Sequence, residues 1–99
     1  MHARVARYTV PADRIDDAAG AFNAASEGLS KLDGFVTGYL LTEPDSGALF
    51  TVTLWHDHRA LDESATRAGA MRLRAVRELD GSCDSVTDYE VPLTFGARS

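Results

Sequence analysis

The chain has 99 residues, 44% of them apolar and 25% charged, with 15 acidic against 10 basic side chains and a net charge of −5. That length holds one hydrophobic core, and the acidic balance excludes the basic face that nucleic acid requires. No apolar run approaches the roughly 20 residues of a membrane span. The opening His2-Ala3-Arg4-Val5-Ala6-Arg7 lacks the apolar region of a secretory signal. The lone Cys83 allows no internal disulfide and fits no zinc-ligand spacing. A soluble protein of the reducing cytoplasm is expected.

Residues 3–10 are β-branched and aromatic enough for a first strand, which Pro11 ends. Ile15, Ala18, Ala19, Phe22, Ala25, Leu29 and Leu32 then recur at threes and fours, predicting one amphipathic helix. Asp13 is its expected N-cap, and Asp33-Gly34 its stop. Asp16 and Asp17, about 100° apart on a helix, read as a solvated helix start rather than an acid–base pair.

Residues 35–42 and 48–55 predict two strands joined by Glu43-Pro44-Asp45-Ser46-Gly47, a tight hairpin turn. A second helix follows, N-capped by Asp57, with Leu61, Ala65, Ala68, Met71, Ala75, Val76 and Leu79 as its apolar side. The stripe shifts phase near Gly69, so a kink or break is expected there. Arg67, Arg72, Arg74 and Arg77 read as a solvated helix face. After Asp80-Gly81-Ser82 comes a loop holding Cys83, an inert thiol, and a last strand over residues 85–93. Residues 96–99 are expected to be a flexible tail, leaving one domain over 1–95.

This β-α-β-β-α-β order predicts an α+β, ferredoxin-like fold: a four-stranded antiparallel sheet with two helices on one face. The third strand is apolar on both sides, with Phe50, Val52 and Leu54 on one and Leu49 and Trp55 on the other. The second sheet face therefore wants a cover, and a homodimer packed sheet against sheet supplies it.

Several pieces in order resemble the antibiotic-biosynthesis monooxygenase (ABM) superfamily of dimeric α+β barrels. They are Ala3-Arg4-Val5, Pro11, Asp33-Gly34-Phe35, the hairpin Gly47, Thr51-Val52-Thr53-Leu54-Trp55 with Ala60, and Tyr89-Glu90-Val91. The resemblance runs from about residue 2 to 93. It implies a pocket between helices and sheet, which some members use to oxidise polycyclic phenols with dioxygen, needing neither metal nor flavin. In the haem-degrading branch an Asn in the first strand and a His in the second helix accompany the Trp. Here the first strand has no Asn, and the second helix has no His beyond its opening His58.

The candidate pocket residues are Trp55, Tyr39, Phe22 and Tyr89, with His58 as the candidate base. Trp55 either walls the pocket or packs in the core or a dimer interface. Tyr39 and Tyr89 either present hydroxyls to a cavity or reach the surface, and Phe22 fits a core position equally well. His58 has the near-neutral acidity that phenol deprotonation needs, if it folds back; otherwise it and His56 are surface residues. No third ligand accompanies the His-x-His pair, so no metal and no cofactor is expected. Two functions stand: a cofactor-independent monooxygenase acting on a small aromatic, polyketide-like compound, or a non-catalytic dimeric small-molecule-binding module.

Overall fold

A computed structural model of the chain describes residues 1–96. Residues 97–99, which hold most of the anticipated tail, lie outside the described residues. Strand β1 spans His2–Thr9 and helix α1 spans Ala18–Ser26. The hairpin strands β2 and β3 span Phe35–Glu43 and Ala48–Trp55. Helix α2 covers His58–Glu78 and strand β4 covers Ser82–Glu90. The sheet order is β2-β3-β1-β4 with every neighbouring pair antiparallel, the ferredoxin-like α+β arrangement.

The hairpin keeps its expected bounds to within a residue. Gly47, at φ 77°, takes the left-handed position that closes the turn, and the Val10 N–H donates to its carbonyl at 3.0 Å. The first helix differs from expectation. Its opening turn, Ala12–Asp17, is a 3-10 helix started by Pro11, and Asp13 makes no capping bond. Three aspartates are poor helix formers. Arg14 also holds this turn to the end of α2, donating to Asp17 and Asp80 carboxylates and to the Glu78 carbonyl. A second 3-10 turn, Leu29–Lys31, follows α1. Ile15, Ala18, Phe22, Ala25 and Leu29 are nonetheless all buried, so the apolar stripe survives the change of helix type.

α2 is also different: it runs unbroken through Gly69. A glycine costs a helix about 1 kcal/mol relative to alanine but removes no backbone hydrogen bond. The Asp57 carboxylate accepts the Ala60 N–H at 2.8 Å, the expected N-cap. At the other end Asp80 takes the left-handed conformation, φ 57°, while Asp80 and Gly81 donate back to Arg77 and Val76. Gly81 is needed for proximity instead, because a Cβ there would lie 2.6 Å from the Thr9 carbonyl oxygen. β4 then starts at Ser82, so Cys83 is inside the strand opposite Tyr8, not in a loop. It ends at Glu90 because Pro92 has no N–H to extend the ladder; the Val91 N–H makes a last bond to Met1.

Register sorts the side chains. Arg4, Ala6 and Tyr8 of β1 and Leu49, Thr51, Thr53 and Trp55 of β3 face the helices. One buried cluster joins Tyr8 and Leu49 to Phe22, Val76 and Leu79; another joins Trp55 to Leu29, Ala60, Leu61 and Ala68. Arg4 is buried at 5% exposure, its charge satisfied by Asp88 at 3.0 Å, Ser64 at 3.1 Å and the Leu61 carbonyl at 3.0 Å. The opposite face carries Val5, Tyr39, Leu41, Phe50, Val52, Leu54 and Tyr89, and no element of the described chain covers it.

Candidate functional site

Between α1, α2 and the β2–β3 side of the sheet lies a cavity of about 540 Å³. Small-molecule sites typically enclose roughly 300–1,000 Å³. α1 contributes Phe22 and Ala25, the following 3-10 turn Leu29, and α2 Ala68, Met71 and Arg72. The sheet contributes Phe35, Leu40, Thr51 and Thr53. Phe22, Leu29 and Met71 are the largest side chains that the helical segments bring to the cavity. The walls are mainly hydrocarbon, with a polar mouth of Asn23, Ser26, Glu27 and Ser30.

Arg72 is the one cation among the described residues that line the cavity, and it is half-buried. A positive charge in a partly dry cleft favours an anionic or electron-rich ligand. Behind the wall, the Tyr8 and Thr51 hydroxyls are hydrogen-bonded at 2.8 Å, and the Tyr8 ring packs edge-on against Phe22 at 5.1 Å. Burial pushes the Tyr8 phenol up to about 12, against smaller opposing effects of the Thr51 bond and Arg72. Tyr8 is therefore neutral at ordinary pH and no proton acceptor.

The residues singled out from sequence go to different places. Phe22 lines the cavity. Tyr39 borders it at the β2 edge, but register sets it opposite Val52 on the uncovered face, 57% exposed. Tyr89, opposite Ala3, is on that same uncovered face and 52% exposed, away from the cavity. Trp55 is not a wall residue. It is fully buried behind the wall, edge-on to Phe35 at 5.3 Å, and its indole N–H donates to Thr53 Oγ1 at 3.0 Å.

His58 does not fold back. The Asp57 cap places it in the first turn of α2, with its Nδ1 3.0 Å from Asp62 one turn later and its side chain 68% exposed. Its ring meets His2 edge-on at 5.4 Å, outside the cavity. His56 is exposed as well. No group of three metal-ligating side chains forms among the described residues, and no helix is long and apolar enough to cross a membrane.

Sequence reasoning placed Arg72 on a solvated helix face, whereas it is half-buried at the cavity, and it did not single out Thr51 and Thr53. Arg72 stands one residue after Met71 of the apolar stripe, so it borders the buried side of α2, and that position was the available signal. The threonines alternate with Phe50, Val52 and Leu54, and the alternation itself marks a face that differs in polarity.

No family model and no curated protein matches the sequence. Solved structures do match in shape. SnoaB from Streptomyces nogalater, a cofactor-independent oxygenase, superposes with a TM-score of 0.67 at 21% identity over 97% of each chain. A Deinococcus radiodurans protein, provisionally named an antibiotic biosynthesis monooxygenase, gives 0.74 at 13% identity over 100% of both chains. MhuD from Mycobacterium tuberculosis, a heme-degrader with two hemes bound in its active site, gives 0.72 at 21% identity over 97% of this chain and 100% of that one. The chain has the fold of the ABM-type proteins over essentially its whole length.

Proposed function

We propose that the chain is a member of the ABM superfamily, a cytoplasmic homodimer, and a monooxygenase that oxidises a small aromatic, polyketide-like compound with dioxygen. The observation that carries this reading is the 540 Å³ cavity with one cationic lining residue among those described, Arg72, in a fold shared end to end with an oxygenase. A flat ring system fits between Phe22, Leu40 and Met71, and an ionised phenol or enol oxygen is stabilised by the guanidinium. The electron-rich anion reduces dioxygen. A ring CH₂ becomes C=O, with one oxygen atom retained and the other leaving as water, so the substrate supplies every electron. The protein binds, holds the anion and excludes water.

Arg72 replaces His58 at the centre of this reading, because His58 lies outside the cavity. Haem does not fit the same site: no imidazole among the described residues lines it to hold the iron. The uncovered, largely apolar sheet face supports the homodimer.

The test is oxygen uptake by metal-stripped protein with a panel of anthrones and naphthols, beside Arg72→Leu. Uptake with one substrate class, at least tenfold lower in the variant, is expected. Equal uptake in both proteins removes Arg72 from the chemistry. No uptake above the buffer rate leaves the second reading, a dimeric binding module. One observation favours that module: the described cavity wall contains neither imidazole nor thiol, the side chains that most readily exchange protons near neutrality.

A further inference from the structure

Trp55 and Thr53 lie two residues apart on the helix-facing side of β3, and only Thr53 reaches the cavity. An indole N–H donates and never accepts, so the 3.0 Å contact has one polarity: Trp55 gives its proton to Thr53 Oγ1. That bond occupies a lone pair of the hydroxyl and turns the hydroxyl's own proton away from the indole. Among the described residues, Thr53 Oγ1 donates to no protein acceptor. The methyl branch lies on the Gly38 side, where a Cβ on that glycine would stand 3.5 Å from it. A β-branched side chain is already stiff at χ1, and the indole bond selects the rotamer. The oxygen is thus held in place while its proton is free to enter the cavity.

We propose that Thr53 is a ligand-binding hydrogen-bond donor aimed by Trp55, and that it selects flat ring systems carrying a keto or ionised hydroxyl oxygen on the edge facing β3. The proposal rests on the cavity being a ligand site, as argued above, and it names the group that reads the ligand's oxygen. The fully buried indole polarises the hydroxyl from behind, which strengthens the bond it donates in front. Arg72, on the α2 side of the same cavity, adds the preference for negative charge. Trp55 is then a positioning residue and Thr53 a specificity residue.

The chain has one tryptophan, so its indole N–H gives a single resonance that reports on this pair alone. The probes are anthraquinone-2-sulfonate and anthracene-2-sulfonate, alike in charge and ring count but differing in the two ring oxygens. The expected result is roughly tenfold tighter binding of the quinone, accompanied by a shift of the Trp55 resonance that anthracene-2-sulfonate does not produce. Thr53→Val, which keeps the side-chain shape, is expected to equalise the two affinities, and Thr53→Ser to restore the preference. Equal affinities in the unaltered protein, or a quinone preference that persists in Thr53→Val, overturn the role of Thr53 and leave the cavity as an aromatic site. Binding of neither probe overturns the ligand-site reading, and this proposal with it.

Discussion

The two faces of β3 contrast. The side toward the helices reads Leu49, Thr51, Thr53, Trp55; the side toward solvent reads Phe50, Val52, Leu54. In a monomer with a filled core the hydroxyls belong outside and the hydrocarbon inside. Here the middle of the strand is inverted. The inner face is polar at Thr51 and Thr53 because a cavity, not a helix, lies over them. The outer face is apolar from end to end, with the Arg7 guanidinium 5.9 Å over the Phe50 ring and Tyr39 and Tyr89 flanking it. One face lines a cavity and the other is left uncovered by the described chain.

The largest effect that breaks this contrast belongs to the outer face. Val52→Asp puts a carboxylate between Val5 and Tyr39, and twice across a symmetric sheet-on-sheet interface, at a cost of several kcal/mol. Light scattering is expected to show a dimer for the unaltered protein and a monomer for the variant. A dimer in both moves the interface elsewhere. Leu49→Ala, on the inner face and fully buried, is expected to cost about 3 kcal/mol in denaturant unfolding. Phe50→Ala next to it is expected to cost the monomer little and to weaken the dependence of the unfolding midpoint on protein concentration that a dimer confers. If the two variants behave alike, the faces are not distinct.

The smallest effect concerns Tyr8. Its folded pKa, about 12, is above the unfolded value of 10.0, because burial disfavours the phenolate. The folded state therefore holds the proton more tightly. This contribution is fully present below pH 10 and is lost as pH rises from 10 through 12, amounting at most to about 3 kcal/mol. Tyr8→Phe is expected to lose about 1 kcal/mol at neutral pH with the Thr51 bond, and to lose stability less steeply above pH 10. An equally steep alkaline decline in the variant would assign that decline to other groups.

Much of the architecture was legible in local chemistry. Pro11 ends β1, Pro44 to Gly47 closes the hairpin, and Asp57 caps α2, each through its own backbone preferences. The candidate site was legible only in part. Phe22 was placed by helical period, but the same period was silent on whether Arg72 faced solvent, since a residue bordering the stripe can turn either way. His58 looked available because its position in the turn was known and its partner was not. Asp62, one helical turn later, holds it outside.

The order of strands and helices, and with it the ferredoxin-like topology, was determined by the sequence itself, since turn residues and hydrophobic period act over a few neighbouring positions. Tertiary structure decided which side chains meet: Arg4 under α2, Trp55 behind Thr53, and Arg72 across the cavity from β3. Those meetings depend on how far apart two packed elements stand. That distance is set by side-chain volumes contributed from distant parts of the chain, which no local pattern records.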